Sequence, residues 1–338
     1  MTSAPPTLLL SRSVVAGLAT TQDYLAAMHD AFTGLAERSY QLPDAAQVPA
    51  KGGAFHVKSA SQLGPRAMAV IKVNGNFPGN GVAWGLPTIQ GFIAVLDAER
   101  GCVLALMDSA EITARRTAAT SALAARYLAR AGSRSLGMVG CGLQAVYHLD
   151  ALRDVAAISA VRYCDPRDEV AEAFGRRVAA LGLEGERVAN PGAAARGSDI
   201  VVTVTTSSRP VLTLAEVDPG TFVAGVGADS PAKHELSPDL LKESRVVVDL
   251  LTQAVASGDF GHAVRRGVLT EQDAHAELSD IVSRRVAGRT RDDERWVFDS
   301  VGLAVQDHAA AGMILERARA RPGLPSIRLD DLTNLASA

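Results

Sequence analysis

A short glycine-rich segment restricts the possible folds of this chain more than any other feature. Gly140-Cys141-Gly142-Leu143-Gln144-Ala145 lies between the apolar run Leu136 to Val139 and a stretch from Val146 that is compatible with a helix. In this spacing the first glycine permits a tight turn, the second lets the backbone approach a pyrophosphate, and the last small residue lets helix pack on strand. The pattern predicts a dinucleotide-binding turn with phosphates at the helix N-terminus. A purely steric glycine turn in a flavodoxin-like sheet is the alternative.

A second strand-like run ends in an acid at the distance that a dinucleotide fold requires. Ala160 to Cys164 is followed by Asp165, about 20 residues beyond the turn. A carboxylate there accepts a hydrogen bond from a ribose hydroxyl and repels a 2′-phosphate, so NAD is the expected cofactor. Arg167, two residues further on, is able to approach such a phosphate. Use of NADP therefore stays open.

Length, charge and cysteine usage exclude several classes of partner. A chain of 338 residues suggests two domains, given about 100 to 200 residues for each. With 34 basic against 37 acidic residues, neither nucleic acid nor an anionic membrane is expected as partner. The three cysteines (Cys102, Cys141 and Cys164) predict neither a disulfide framework nor a zinc site. Residues 1–19 lack a basic leader and no stretch approaches about 20 apolar residues, so a cytoplasmic protein is expected.

The first part of the chain is rich in predicted antiparallel strands. Thr20 or Thr21 is expected to cap an amphipathic helix. Ser109 is expected to cap a long helix that Gly132 ends. Glycine, proline and asparagine between Asn74 and Gly91 predict a structured loop of the kind that lines sites. The predicted strands are Leu8 to Leu10, Phe55 to Ser59, Ala67 to Val73, and a hairpin of Phe92 to Leu96 with Val103 to Leu106.

From Ser135 onward short apolar strands alternate with helices, which predicts a doubly wound parallel sheet. An alanine-rich helix over Val301 to Ala320 is expected to return to the first domain, and Arg284 to Arg295 is expected to be a solvated stretch. The predicted strands are Leu136 to Val139, Val161 to Cys164, Arg187 to Ala189, Ile200 to Val204, Phe222 to Val226, and Val246 to Asp249.

Residues after the strands of a parallel sheet are candidates for binding and catalysis, because ligands bind beyond the carboxyl ends of the strands. Thr205-Thr206 and Gly225-Val226-Gly227-Ala228-Asp229 occupy such positions, and Asp229 is a candidate acid or base beside a nicotinamide. A turn aspartate is the alternative. In the first domain Lys72 ends a strand, and one of Arg115 and Arg116 is expected to face a pocket, since neighbouring helix residues point about 100° apart. A solvated arginine is the plainer interpretation.

Six ordered motifs together resemble the ornithine cyclodeaminase/mu-crystallin family over roughly Leu35 to Ala318. They are Lys72-Val73-Asn74, Gly85-Leu86-Pro87-Thr88, Thr113-Ala114-Arg115-Arg116-Thr117-Ala118-Ala119, the Gly140 to Ala145 turn, Gly225 to Asp229 through Glu235-Leu236, and Asp299-Ser300-Val301-Gly302-Leu303-Ala304.

The resemblance implies an α/β homodimer with two domains. A substrate-binding and dimerisation domain is expected over 1–125, completed by 308–338, and a Rossmann domain over 126–307. Lys72 and Arg116 would hold a substrate carboxylate, and Asp229 would donate or accept a proton. The resemblance places Thr88, Gly142, Gln144, Asp165, Thr205 and Ser300 against the cofactor; Arg116, Gly140, Leu143, Ala145, Arg167, Thr206 and Gly227 are added as neighbouring candidates.

The reaction is less closely defined than the family, whose shared chemistry is hydride transfer at the α-carbon of an amino acid through an imine. Cyclodeaminases resemble one another in an acidic residue on the substrate strand, where this chain has Phe55-His56-Val57-Lys58-Ser59. We therefore expect an imine reductase or amino-acid dehydrogenase acting on an amino acid, 2-oxo acid or imine. A second carboxylate, as in iminosuccinate, would suit Lys58, with His56 beside it. A redox-neutral ornithine cyclodeaminase and a non-catalytic crystallin-type binding protein are the alternatives, and an exposed edge-strand lysine is the alternative for Lys58.

Overall fold

The computed structural model describes residues 5–64 and 67–329. These residues form two compact units, one made of residues 5–64, 67–116 and 303–329 and the other of residues 117–302. The expected boundaries, at 125 and 308, lie further along the chain. They differ because the long helix Ser109–Leu128 contributes its first turns to the first unit and the remainder to the second. Residues 330–338 of the expected C-terminal segment lie outside the described residues.

The first unit combines short N-terminal elements with long antiparallel strands. The predicted cap of the second helix is confirmed, because Thr20 forms a capping box with Asp23. The elements up to the long helix are β1 (Thr7–Leu10), α1 (Arg12–Ala16), α2 (Thr21–Ala36), β2 (Tyr40–Gln41), β3 (Ala46–Ala50), β4 (Gly53–Gln62), β5 (Met68–Asn76), α3 (Asn80–Trp84), β6 (Ile89–Asp97), β7 (Val103–Asp108) and α4 (Ser109–Leu128).

Three predictions about this region are wrong in detail. The backbone N–H of Glu111 donates to the side chain of Asp108, so Asp108 caps α4, whereas Ser109 donates its hydroxyl to Asn74. Gly132 adopts a φ of 77° in a turn beyond Leu128, where the helix has already ended. The glycine-rich loop is also shorter than predicted, because β5 continues to Asn76, β6 begins at Ile89 and α3 occupies part of the interval.

The second unit alternates strands and helices as predicted. Its elements are β8 (Ser135–Val139), α5 (Leu143–Arg153), β9 (Ala160–Cys164), α6 (Asp168–Ala180), β10 (Glu184–Arg187), α7 (Pro191–Ala195), β11 (Ile200–Thr203), β12 (Ser208–Leu212), β13 (Phe222–Gly225), β14 (His234–Leu236), α8 (Pro238–Lys242), β15 (Arg245–Val248), α9 (Leu251–Ala256), α10 (Gly258–Arg265), β16 (Ala274–Glu277), α11 (Leu278–Val282) and β17 (Trp296–Asp299).

The main sheet of the second unit is parallel throughout, in the order β10-β9-β8-β11-β13-β17-β15-β16. This confirms the doubly wound fold. Connections run in one direction from β8 through β9 to β10 and in the other from β11 onward, so the order reverses between β8 and β11. A ligand crevice is expected at the carboxyl ends of the two strands that flank such a reversal.

Four further differences concern the second unit. Helix α5 begins at Leu143, inside the glycine segment, and β10 ends at Arg187, where a strand was predicted to begin. Strand β17 lies between β13 and β15 and was not predicted. The stretch expected to be solvated includes Arg289, whose guanidinium donates to the carbonyls of Leu128 and Glu294.

The chain returns to the first unit through α12 (Ala304–Arg319) and β18 (Ser326–Ile327). Strand β18 pairs antiparallel with β1, which pairs parallel with β7, and the sheet continues through β6, β5 and β4 to β2. Helix α12 packs on α2, β4 and β5. Among the described residues, no helix has both the length and the apolar character needed to cross a membrane.

The register of this sheet separates an inner from an outer face. Lys58 lies opposite Lys72 and Lys72 opposite Ile93, so these three side chains share the inner face. The alternate residues of the same strands point to the opposite side and form the outer face. It carries apolar side chains that remain exposed, among them Phe55 at 39%, Ile71 at 37% and Phe92 at 45%. A cavity of about 270 Å³ opens on this outer face and is lined by Phe55, Gly75, Phe77, Asn80 and Gln90.

Candidate functional site

The predicted cofactor residues of the second unit follow strands that end in a single row. Cα partners run in register from Cys164 through Val139, Thr203 and Gly225 to Asp299. Because the strands are parallel, the residues after these five positions lie at the same edge of the sheet. The row is thus followed by Asp165, Gly140, Thr205, Gly227 and Ser300, in that spatial order.

The glycine segment has the backbone that its spacing predicted. Gly140 adopts a φ of 88°, and a Cβ there would lie 2.8 Å from the carbonyl oxygen of Val204. Only glycine therefore fits at this turn. Gly142 is the N-cap of α5, and a Cβ at this residue would meet no atom within 4 Å. Leu143 is exposed, whereas Ala145 is fully buried, as helix packing requires.

Two side chains around the turn fit a dinucleotide. The Oε1 atom of Gln144 is buried and has no hydrogen-bond partner among the residues that the structure describes. The carboxylate of Asp165 accepts from the backbone N–H of Cys141 at 2.9 Å, which ties the end of β9 to the glycine turn. The open space before α5, an unpartnered amide oxygen and a carboxylate at the ribose position together suit NAD.

Arg167 forms a bidentate ion pair with the carboxylate of Asp165. Its Nε and Nη2 atoms each lie 3.0 Å from an oxygen of Asp165. Burial alone would raise the pKa of Asp165, but the hydrogen bonds from Arg167 and Cys141 outweigh burial and lower it. Asp165 is therefore ionised at neutral pH. Arg167 is engaged by this carboxylate, although its side chain is 60% exposed.

A buried glutamate that the sequence did not reveal holds two of the strand-end loops. Glu235 is fully buried, and its carboxylate accepts from the backbone N–H groups of Thr205 at 2.6 Å and Gly227 at 2.7 Å. It also accepts from the hydroxyl of Thr203 at 2.7 Å. Burial raises the pKa of Glu235 in spite of these hydrogen bonds, because dipoles stabilise the charge less than water does. Thr206, the other predicted residue here, is exposed.

The loop that contains Ser300 is held in the same way by another carboxylate. Oδ2 of Asp249 accepts from the hydroxyl of Ser300 at 3.3 Å and from the N–H groups of Val301 and Gly302 at 3.0 and 2.7 Å. Asp249 follows β15 and is itself fully buried. The hydroxyl of Ser300 is thereby fixed by an acid that the sequence pattern did not single out.

Asp229 lies in a more open environment. Its carboxylate pairs with the ammonium of Lys233 at 2.6 Å, and its side chain is 52% exposed. The flanking residue Gly227 is tightly enclosed, since a Cβ there would lie 2.3 Å from the carbonyl oxygen of Thr205. An exposed carboxylate on a fixed turn is accessible to a ligand and to solvent protons.

In the first unit, Lys72 and Arg116 converge on one carboxylate. Nζ of Lys72 lies 2.5 Å from Oδ2 of Asp307, and Nε of Arg116 lies 3.0 Å from Oδ1. The neighbouring Gln306 accepts from Nη1 of Arg116 at 2.7 Å. Arg116 is therefore the arginine that turns inward, whereas Arg115 pairs with Glu111. Strand β5 and helices α4 and α12 each supply one of the three charges.

Burial shapes the titration of this group. It lowers the pKa of Lys72 to about 7, against the opposing effect of Asp307, while Arg116 and Lys58 lower it further. Burial would raise the pKa of Asp307, but the adjacent Lys72 and Arg116 hold it below its usual range. The aspartate is thus ionised, and Lys72 changes charge close to neutral pH.

The remaining predicted residues of the first unit lie on either side of this group. Lys58 and His56 are half-buried on the inner face, where Lys58 is the direct cross-strand partner of Lys72 and His56 that of Asn74. Thr88 is exposed just before β6, and its carbonyl accepts from the N–H of Phe77. Lys58 thus adds a third cation beside Lys72 and Arg116.

Comparison with known proteins places the chain in a family. The sequence pattern of the ornithine cyclodeaminase/mu-crystallin family matches residues 6–321. The chain is 35% identical over 312 residues to an alanine dehydrogenase of Archaeoglobus fulgidus, covering 92% of this chain and 95% of that protein. It is 30% identical over 313 residues to an iminosuccinate reductase of Paracoccus denitrificans, covering 92% and 97%. An archaeal alanine dehydrogenase dimer with bound NAD has a TM-score of 0.92 at 34% identity, covering 96% of this chain and 100% of that one. This protein is therefore a member of the ornithine cyclodeaminase/mu-crystallin family.

Proposed function

We propose that this protein is an NAD-dependent oxidoreductase that transfers hydride at the α-carbon of an amino acid or its imine, and that its substrate carries a second carboxylate. The observation that carries the proposal is the pairing of Lys58 with Lys72 on the inner face, beside Arg116. Two lysines lie directly opposite each other on adjacent strands, and Lys58 is close enough to Lys72 and Asp307 to affect the pKa values of both. A ligand with two carboxylates suits such a pair of cationic side chains better than a monocarboxylate does.

The cofactor part of the proposal rests on the second unit. The glycine turn lies at the reversal of strand order, and the buried side-chain oxygen of Gln144 has no hydrogen-bond partner in the described part of the chain. Asp165 would accept from the ribose hydroxyls and disfavour a 2′-phosphate. Bound NAD supplies the acceptor or donor of the hydride. Thr205, Gly227 and Ser300 are fixed by buried carboxylates and would keep their positions while it binds.

The residues proposed for substrate and proton transfer have different surroundings that suit different tasks. Lys72 and Arg116 are buried and held, so they would orient the α-carboxylate and with it the hydrogen of the α-carbon. Lys58 would receive the second carboxylate. Asp229 is exposed and would exchange a proton with the amine or imine nitrogen, for which hydrogen-bond reach is the requirement.

The outer face of the sheet suits a homodimer. Phe55, Ile71 and Phe92 share the outer face of adjacent strands and are exposed, and contiguous apolar surface of this kind marks protein interfaces. The related alanine dehydrogenase is a dimer. A second copy of this chain is therefore the proposed partner of this face.

The test follows NADH oxidation with ammonia and a panel of 2-oxo acids, namely oxaloacetate, pyruvate and glyoxylate, together with cyclic imines. Lys58→Ala is expected to raise the KM for oxaloacetate by about twofold to fivefold, the value of one ion pair at a partly exposed site, and to leave the KM for pyruvate unchanged. Lys51→Ala, an exposed lysine in the turn before the same strand, is the matched control.

The same assay includes ornithine, with ammonia release as the readout. Ammonia from ornithine without a net change in NADH would make the protein a cyclodeaminase and contradict the interpretation of Lys58. Oxidation of NADH only with pyruvate, at an unchanged rate in Lys58→Ala, would leave the oxidoreductase proposal intact and remove its dicarboxylate part.

A further inference from the structure

Asp307 has no role in the function proposed above, although it contacts both groups assigned to the substrate carboxylate. It lies in the first turn of α12 and its side chain is 1% exposed. Its two oxygens take different partners, Oδ2 the ammonium of Lys72 and Oδ1 the guanidinium of Arg116. The three residues come from positions 72, 116 and 307 of the chain, so this contact exists only in the folded unit.

Net stability does not account for this arrangement. Taking charges out of water costs about as much as a buried ion pair returns, and apolar side chains of similar volume often stabilise a protein equally well. The arrangement does fix geometry. Each oxygen of Asp307 holds one cation, and Gln306 on the same helix holds a second nitrogen of Arg116 at 2.7 Å.

We infer that Asp307 is a positioning residue, which fixes Lys72 and Arg116 in one orientation so that a ligand carboxylate meets both cations at once. This inference rests on the proposed function, in which these cations bind the substrate. Because both side chains are already immobilised, ligand binding does not carry the conformational entropy cost of ordering them. Asp307 itself does not touch the reacting atoms.

A consequence for pH follows from the charges around Lys72. The charged groups that face it are Lys58 from β4, Arg116 from α4 and Asp307 from α12, while its partner on β6 is the uncharged Ile93. Asp307 is the group among them that raises the pKa of Lys72; burial and the two cations lower it. Removing the charge of Asp307 is therefore expected to lower the pKa of Lys72, so that Lys72 loses its proton at a lower pH than in the wild-type protein.

The experiment measures binding of oxalate to the NAD-saturated full-length protein by calorimetry between pH 5.5 and 8.5, where oxalate remains a dianion. In the wild-type protein, affinity is expected to fall as pH rises through about 7, the pKa of Lys72. In Asp307→Asn the midpoint of this fall is expected about one to three pH units lower, the usual effect of one close opposite charge. Asp30→Asn, at a side chain that is 83% exposed, is the matched control and should keep the wild-type midpoint.

Lys72→Arg keeps the inference testable if Asp307→Asn does not fold. An arginine stays protonated, so the fall in oxalate affinity over this pH range should disappear. Equal midpoints in wild type and Asp307→Asn, or an unchanged fall in Lys72→Arg, would overturn the role of Asp307 while leaving the proposed function in place. Failure of the wild-type protein to bind oxalate at any pH would overturn the carboxylate site itself.

Discussion

Replacing Glu235 with glutamine is expected to loosen the strand-end loops of the second unit. The carboxylate now accepts from two backbone N–H groups and one hydroxyl, at 2.6 to 2.7 Å. Glutamine keeps one acceptor oxygen and turns the other into an NH₂ donor. Whichever way the amide is oriented, the N–H of Thr205 or of Gly227 faces a donor in place of an acceptor.

The magnitude follows from that mismatch. Losing one hydrogen bond to a charged acceptor costs about 1.5 to 3 kcal/mol, and leaving a buried N–H unsatisfied costs about 1 to 3 kcal/mol. Removing the buried charge returns part of this, since burial raises the pKa of Glu235 and so disfavours the ionised form. We expect a net local loss of about 2 to 4 kcal/mol, which corresponds to about 30-fold to 700-fold more frequent opening.

Amide hydrogen exchange followed by mass spectrometry measures this loss directly. Peptides that contain Thr205 and Gly227 are expected to exchange faster by the stated factor in Glu235→Gln, because exchange follows local opening. NADH affinity should fall in parallel, as both loops are proposed to face the cofactor. Glu243→Gln, an exposed glutamate of the same unit, is the control. Exchange in Glu235→Gln that matches the control would refute the anchoring role.

Three further outcomes are expected. Burial raises the pKa of Asp299 from its usual 3.8 to about 7. Protonated Asp299 therefore stabilises the folded protein at low pH, and this stabilisation is lost as pH rises through 7. In denaturant titrations, the unfolding free energy of Asp299→Asn minus that of wild type should increase from pH 4 to 7. The wild-type kcat/KM should be higher with NADH than with NADPH. Asp165→Asn keeps an acceptor for the N–H of Cys141 and should lower the ratio of the two kcat/KM values by about tenfold or more. A wild-type preference for NADPH would contradict the role assigned to Asp165. The wild-type protein is expected to sediment as a dimer, and Ile71→Lys on the outer face should sediment as a monomer. Val268→Lys, at an equally exposed position in the other unit, should keep the molecular mass of the wild-type dimer.

The sequence predicted those elements whose signal is local. Continuous apolar runs indicated β8, β9, β11, β13 and β15, and each forms a parallel strand within about a residue of the prediction. Strand β17 (Trp296–Asp299) was missed because it directly follows the charged stretch that ends at Arg295. Its identity as a strand depends on partners on both sides, β13 and β15, which are distant in sequence.

The buried carboxylates that hold the candidate site residues could not be predicted from local sequence patterns, for the same reason. Asp307 looks like an ordinary first-turn acid that complements a helix dipole, and nothing near it in the sequence indicates Lys72, which precedes it by more than 200 residues. Glu235 lies within one of the six motifs, but the sequence around it indicates no particular function for its side chain. In contrast, the glycines at 140 and 142 were predictable, because a steric requirement on the backbone selects the residue type directly.

The two kinds of buried carboxylate differ in what holds their charge. Asp307 faces two full positive charges, and these outweigh burial and lower its pKa; Glu235 faces hydrogen-bond dipoles, which do not, and its pKa is raised. A carboxylate among dipoles therefore takes up a proton at higher pH than one between cations. On protonation it turns from an acceptor into a donor, so the loops of Thr205 and Gly227 lose an acceptor on acidification while Lys72 and Arg116 keep theirs. We therefore expect the loops that Glu235 holds to be more sensitive to acid than the contact of Asp307 with Lys72 and Arg116.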